Sequence, residues 1–166
     1  MTNLTSGLAI VHSALPSLTR QVQWTISRTL GHDLFLDWSP QPAIEGTFRS
    51  EFSWQGEPAT GAMLTSALAG WKSVYFEVTQ DPSQEQSGSR WCYTPQLGIS
   101  HRMMDEFGNT LIGENQIRAA LMRTGVNAHA IQKELSLLLA EPWDHELEPL
   151  RQAAENSRVV WLHRAG

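Results

Sequence analysis

The chain has 166 residues, of which 41% are hydrophobic and 17% are charged, and its formal net charge is -5. This length and composition are typical of one folded domain that buries a continuous core without disulfides or a structural metal. With 12 Lys and Arg against 17 Asp and Glu, the chain lacks the basic surface of a nucleic-acid-binding protein, so no nucleic-acid partner is expected.

The apolar segments are too short to indicate a membrane protein. None approaches the roughly 18–20 continuous apolar residues of a membrane span, and the apolar run at 7–11 lacks the basic flank of a secretory signal. The single cysteine, Cys92, has no internal partner for a disulfide and fits a reducing compartment. We therefore expect a cytoplasmic protein that does not associate with membranes.

In the first half of the chain, the spacing of apolar residues predicts alternating strands and helices. The predicted elements are, in order, a strand at 8–12, a helix at 18–30, strands at 34–38 and 47–54, a helix at 63–71 and a strand at 74–78. This order is that of the ferredoxin-like split βαβ unit, in which two helices cover one face of a four-stranded antiparallel sheet.

In the second half of the chain, short strands are followed by helices. After a polar loop at 81–89, the predicted elements are strands at 91–94 and 98–104, a return strand at 111–112, helices at 114–125, 127–141 and 144–154, and a last strand at 159–162. We expect Pro142 to end one of these helices and Pro149 to limit the length of the next.

These elements predict a single α+β domain over residues 1–166. Residues 7–80 form the ferredoxin-like split βαβ antiparallel sheet, and residues 90–163 add a β-hairpin and the C-terminal helices. The loop at 81–89 joins these two regions. Because this fold supports many unrelated functions, it does not select one.

Several segments resemble, in the same order, a family of actinobacterial proteins that contain a domain of unknown function. The segments are Val11-His12-Ser13-Ala14, Asp37-Trp38-Ser39-Pro40-Gln41-Pro42, Ser53-Trp54-Gln55-Gly56-Glu57, Phe76-Glu77-Val78-Thr79, Tyr93-Thr94-Pro95-Gln96-Leu97-Gly98, Trp143-Asp144-His145-Glu146-Leu147-Glu148-Pro149 and Trp161-Leu162-His163. The resemblance spans nearly the whole chain. It implies a bacterial cytoplasmic protein and assigns no catalytic residue.

The sequence lacks the common motifs of cofactor and nucleophile chemistry. No glycine-rich phosphate loop, dinucleotide-binding turn or Gly-x-Ser-x-Gly nucleophile motif is present, so no cofactor is expected. Cys92 lies in a predicted strand with only Arg90 nearby as a basic neighbour, which favours a structural thiol. The histidines lack metal-ligand spacing, and we predict no metal site.

One alternative is a small metal-dependent or His/carboxylate enzyme. Its candidate residues are His12 at the end of the first strand, His101 in the hairpin and His163 in the last predicted strand. Histidine titrates near neutral pH and is the most frequent proton-transfer group in enzymes. This hypothesis requires the histidines to converge with a carboxylate from another element.

The leading hypothesis is a non-catalytic protein-binding or regulatory module, which engages another protein or itself through a sheet edge or an exposed Trp surface. The candidate surface is Asp37, Trp38, Gln41, Trp54 and Gln55, which combines large amphipathic rings with polar groups. The same residues also fit a structural role, in which both Trp cap the core. A small-ligand sensor is a further alternative, by analogy with other split βαβ proteins.

Overall fold

The computed structural model describes the backbone of residues 3–164 and the side chains of residues 3–158, and within them it has seven strands and five α-helices. The strands are β1 (Thr5–Ala14), β2 (Ser39–Pro40), β3 (Phe48–Gly56), β4 (Tyr75–Gln80), β5 (Gly88–Thr94), β6 (Gly98–Met104) and β7 (Thr110–Leu111). The helices are α1 (Thr19–Leu30), α2 (Thr60–Ala69), α3 (Glu114–Thr124), α4 (Ala128–Leu138) and α5 (Glu141–Arg164).

The strands form one antiparallel sheet with the spatial order β2-β3-β1-β4-β5-β6-β7. The long strand β1 lies between β3 and β4, and the β5–β6 hairpin continues the sheet beyond β4. Gly7 allows β1 to approach β4 closely, because a Cβ atom at this position would overlap the Thr79 carbonyl oxygen. The mixed α+β class and the hairpin predicted from the sequence are confirmed.

The main apolar core lies between one face of the sheet and helices α1 and α2. Val22 and Ile26 of α1 and Leu64 and Leu68 of α2 are fully buried against this face, where Phe76 of β4 is also fully buried. Each such large side chain contributes roughly 1.5–3 kcal/mol when it leaves water. The apolar residues that recur along these helices in the sequence therefore pack them against the sheet.

The opposite face of the sheet is covered by α5, which packs against β1 and β5. Leu147 and Leu150 of α5 are buried there. The Trp143 indole donates a hydrogen bond to the Gly98 carbonyl at 2.9 Å, which ties the start of α5 to β6. The polar side chains that alternate with the core residues of β4 and β5 are therefore buried beneath a helix.

The predicted strand at 34–38 is wrong, because β2 covers only Ser39–Pro40. The 34–38 segment is held to α1 instead. The amide of Leu34 donates to the Ser27 hydroxyl at 3.0 Å, and the amide of Leu36 donates to the Gln23 side-chain oxygen at 3.1 Å. The alternation of Leu34, Leu36 and Trp38 thus reflects burial of one side of an extended loop rather than pairing in a sheet.

The predicted strand at 159–162 is also wrong, since α5 continues to Arg164. Pro142 does not end a helix but lies in the first turn of α5, where its missing N–H needs no intrahelical acceptor. Pro149 lies inside α5 and does not end it. Ala140 reverses the chain between α4 and α5 with a positive φ of 55°. Among the helices described, none has the length and apolar character needed to cross a bilayer.

Candidate functional site

Charged side chains meet in a buried cluster between the sheet and α5. This Glu77 cluster consists of His12 from β1, Glu77 from β4, Arg90 and Cys92 from β5, Arg102 from β6, and Asp144 and Arg151 from α5. Strand alternation places these strand residues on the face opposite α1 and α2. In the register of the sheet, Glu77 lies beside Cys92, and Arg90 lies beside Arg102.

The Glu77 carboxylate is the centre of the cluster. It interacts with His12 Nε2 at 2.6 Å, and Arg90 Nη2 donates to it at 2.6 Å. Arg151 donates to both of its oxygens, through Nε at 2.9 Å and through Nη2. The Cys92 thiol lies 3.3 Å from Oε1. An ionised carboxylate only accepts hydrogen bonds, so His12 carries its proton on Nε2.

The same surroundings determine the ionisation of Glu77. Burial by itself raises the pKa of a carboxyl, but hydrogen bonds from His12 and Arg151 and the nearby charges hold the pKa of Glu77 far below its usual range. In turn, the Glu77 carboxylate raises the pKa of Arg151 against the opposing effect of burial. Glu77 is therefore a poor general base, because a base that acts near neutral pH needs a pKa near 7.

A second carboxylate extends the cluster along α5. Asp144 accepts hydrogen bonds from Arg102 Nη1 at 2.9 Å and from Arg151 Nη2 at 2.9 Å. Arg102 Nη1 also donates to the Leu139 carbonyl at 2.8 Å, near the C-terminus of α4. Burial by itself raises the pKa of Asp144, but the hydrogen bonds and charges of these guanidinium groups have the larger effect and lower it. Charge-assisted hydrogen bonds therefore join β4, β6 and both of the last helices.

The thiol of Cys92 does not have the setting of a nucleophile. Burial and the adjacent Glu77 carboxylate raise the pKa of Cys92 to about 11. The side chain is fully buried, and Arg102 Nη2 lies 3.7 Å from its sulfur. A reactive cysteine needs an accessible thiolate, so this residue fits the structural role expected from the sequence.

Glu77, Cys92 and Asp144 offer three ligand atoms within 4.8 Å of one another, a spacing that a metal ion can bridge. The donor set does not suit a cation. Arg102 and Arg151 already donate to the carboxylates, and a thiol whose pKa is about 11 is protonated at neutral pH. A divalent ion would have to displace guanidinium groups from a positively charged enclosure.

The histidines proposed for an enzyme do not converge in the described part of the chain. His12 lies in the Glu77 cluster, on the face covered by α5. His101 stacks on Trp91 at 5.0 Å between ring centroids, on the face that carries α1 and α2, and interacts with the Ser89 hydroxyl at 3.0 Å. The side chain of His163 lies outside the described residues.

The candidate binding residues are divided between the surface and the interior. Asp37 and Trp38 line a groove of about 790 Å³ between β3 and α5, and Gln55 is exposed at the end of β3. Gln41 is buried and donates to the His12 carbonyl at 2.8 Å, whereas Trp54 is buried in the core beneath α1 and α2. Of the five residues, only Asp37 and Trp38 lie together on the groove.

The sequence interpretation missed the Glu77 cluster because its members come from five elements and share no local motif. A signal was nevertheless present. Glu77, Arg90 and Arg102 are charged residues within strands that also carry core positions. Charged residues are almost never fully buried unless they are paired. Their burial could not be recognised from the sequence without the knowledge that α5 covers this face of the sheet.

Comparison with known proteins gives one family. A family model described as "Protein of unknown function (DUF3145)" matches residues 8–164, a stretch that contains both the Glu77 cluster and the groove. No curated protein and no solved structure matches the chain.

Proposed function

The chain belongs to the DUF3145 family of proteins of unknown function, and we propose that it is a non-catalytic interaction module in which two copies pair along strand β6. The observation that carries this proposal is an exposed apolar row on one face of the sheet, beside the stretch of β6 that has no outer partner strand. The Glu77 cluster supports the non-catalytic part, because its carboxylates and thiol are committed to internal hydrogen bonds.

Strand β6 is an edge over most of its length. All seven of its residues pair with β5, whereas β7 pairs only with Met103 and Met104. Within the described residues, no strand pairs with the outer side of β6 from Gly98 to Arg102. An edge strand presents unpaired N–H and C=O groups, which favour pairing with another chain.

The side chains on one face of this edge are apolar and exposed. Ile99 and Met103 of β6 are 47% and 46% exposed, and Leu111, which pairs with Met103, is 39% exposed. Between them lies His101, which stacks on Trp91, and burial lowers its pKa, which favours the neutral imidazole. Ile99 lies in the stretch without an outer partner, and Met103 and Leu111 continue the exposed apolar row where β7 pairs. Exposed apolar residues beside an open sheet edge are typical of interaction sites.

The opposite edge of the sheet is less suited to pairing. Its outermost strand, β2, has two residues, and one of them is Pro40, which lacks a backbone donor. Beyond β2, the outer side of β3 from Ser50 to Gly56 has no partner strand among the described residues, but its exposed side chains are polar and include Glu51. Strand β6 has no proline, lysine or carboxylate that would discourage pairing, and this difference supports a partner on the β6 side.

A second copy of the chain is the partner that fits this edge. Two identical edge strands related by a two-fold axis run antiparallel, so their N–H and C=O groups are self-complementary. The uncharged row of Ile99, Met103 and Leu111 would then meet the same row of the other copy without repulsion. The paired rows would remove these side chains from water.

Two further expectations from the sequence, on the topology and on the domain, are also part of the proposal. We infer that β1 to β4 with α1 and α2 form a ferredoxin-like split βαβ unit, supported by the order β2-β3-β1-β4 and its antiparallel pairing. We also infer a single cytoplasmic domain, in which the regions 7–80 and 90–163 fold together because α5 packs on both β1 and β5.

Light scattering coupled to size-exclusion chromatography tests the self-pairing. The wild type is expected to show a dimer that dissociates on dilution over about a hundredfold range of concentration. Ile99→Glu combined with Met103→Glu is expected to give a monomer, since four carboxylates would meet in the paired edges. The control is Met122→Glu, at an 87% exposed residue of α3, which should remain dimeric.

Two results would contradict the proposal. One is a wild type that stays monomeric at every concentration, and the other is a dimer that survives the double substitution. If a monomeric wild type captured a different protein from a native extract, and the double variant did not, the edge would serve a foreign partner and self-pairing would be wrong.

A further inference from the structure

The groove between β3 and α5 has the dimensions and lining of a small-molecule site. Its volume is about 790 Å³, within the roughly 300–1,000 Å³ of ligand pockets. Its walls come from the segment before β2, from β3 and from α5. The residues that concern its chemistry are Asp37, Trp38, Pro42, Arg49, Glu51 and Arg158.

One part of the lining has guanidinium groups with unused donors. Arg158 Nη2 lies 3.0 Å from Glu51 Oε2, and Arg49 Nη2 lies 3.5 Å from the same oxygen. Arg49 Nε is buried and has no hydrogen-bond partner among the described residues. A guanidinium has five N–H donors, so one carboxylate oxygen leaves most donors of Arg49 and Arg158 without a partner among the described side chains.

An oxyanion would complete this arrangement. Burial and the neighbouring Arg158 charge lower the pKa of Arg49, so an anion placed between the two guanidinium groups would offset their repulsion. A ligand carboxylate is planar and accepts two parallel hydrogen bonds from a guanidinium. This geometry favours a carboxylate group as one part of the ligand.

The other residues of the lining favour a ligand that has further groups besides a negative charge. Asp37 adds an exposed carboxylate beside Trp38, and the indole of Trp38 with the rings of Pro40 and Pro42 supplies apolar surface. Up to Arg158, the last residue whose side chain is described, the lining therefore has two positive and two negative side chains. A ligand that complements both signs carries a carboxylate and an ammonium, together with an apolar body for the Trp38 wall.

We propose that this groove binds a small zwitterion, an α-amino acid with an apolar or aromatic side chain. Its carboxylate lies between Arg49 and Arg158, its ammonium faces Asp37, and its side chain lies against Trp38. The groove is at the β2–β3 side of the sheet and the apolar row is on β6, so the site is separate from the proposed pairing edge.

Isothermal titration calorimetry with three matched probes tests the ligand class on the full chain. The probes are L-phenylalanine, phenethylamine, which lacks the carboxylate, and 3-phenylpropanoate, which lacks the ammonium. L-phenylalanine is expected to bind about tenfold more tightly than either of the other two, because each loses one charged contact. Absence of binding by L-phenylalanine would overturn the proposal, and so would equal affinity for 3-phenylpropanoate.

Substitutions locate the site. Arg158→Gln is expected to weaken L-phenylalanine binding by about tenfold, and Asp37→Asn to abolish the preference over 3-phenylpropanoate. The control is Arg118→Gln, at an exposed arginine of α3, which should bind as the wild type does. Unchanged binding in both groove variants would overturn the assignment to this groove, whereas the dimerisation measurement on the same variants is expected to match the wild type.

Discussion

Arg151 and Glu77 lie 74 residues apart in the sequence, yet Arg151 donates to both oxygens of the Glu77 carboxylate, with its Nε at 2.9 Å from Oε2. This contact joins the C-terminal helix α5 to the central strand β4. Both side chains are largely buried, since 19% of Arg151 and 4% of Glu77 is exposed. The attachment of α5 to the sheet therefore includes a largely buried charge pair.

Glu77→Gln is expected to destabilise the protein by about 3–5 kcal/mol, because removal of one partner leaves buried charge without compensation. The guanidinium groups of Arg90 and Arg151 would remain in the cluster with only a neutral amide at this position. Urea denaturation followed by circular dichroism measures the change in the free energy of unfolding.

The matched control for this substitution is Glu148→Gln. Glu148 also accepts from Arg151, at 3.2 Å, but 51% of its side chain is exposed. Exposed ion pairs contribute about 0–1 kcal/mol, so the control should stay close to the wild type. Equal losses in the two variants would show that burial of the cluster does not govern its contribution.

The stability of the wild type is expected to fall as the pH is lowered below about 4–5, where an unfolded glutamate titrates. The pKa of Glu77 is held far below that of the unfolded chain, so its contribution is present above the unfolded pKa and is lost as pH falls towards the folded pKa. Asp144 acts in the same direction. Urea titrations at successive pH values check this dependence.

The same titrations on Glu77→Gln distinguish the source of the pH dependence. The variant lacks the titrating carboxyl, so its free energy of unfolding should depend less steeply on pH in the acidic range. Glu148→Gln serves again as the comparison for removal of an exposed carboxylate. Parallel curves for the wild type and Glu77→Gln would refute the role of Glu77.

Cys92 is expected to react with a thiol reagent such as iodoacetamide only when the protein unfolds. Its side chain is fully buried and its pKa is raised to about 11, so neither access nor thiolate favours reaction at neutral pH. Mass spectrometry of timed samples, in buffer and in denaturant, measures the labelling. Rapid labelling of the folded protein at pH 7 would show an accessible thiolate and would reopen a catalytic role.

The predictions from sequence succeeded where burial and hydrogen bonding give the same pattern. Strand β3 buries Phe52 and Trp54 at alternate positions, and α1 buries Val22 and Ile26 one turn apart. They failed at 34–38, where alternation marks a loop with one buried side. They also failed at 159–162, where a short apolar run fits a helix as well as a strand.

The site could not be predicted for a different reason. Glu77 alternates with Phe76 and Val78 in the sequence, which is also the pattern of a residue facing solvent. Its burial depends on α5, whose packing on that face requires contacts between residues far apart in the chain. Of the proposed binding residues, Asp37 and Trp38 are adjacent in sequence and line the same groove. Gln41 is buried instead, and its side chain donates to the His12 carbonyl.

The proline in β2 sets an upper limit on assembly. A sheet with two open edges can add copies indefinitely and grow into a filament. At this end, Pro40 lacks a backbone donor and the exposed Glu51 of the neighbouring strand β3 disfavours the addition of a strand. If two copies pair through β6 as proposed, both remaining ends are β2–β3 ends, and the assembly closes at a pair.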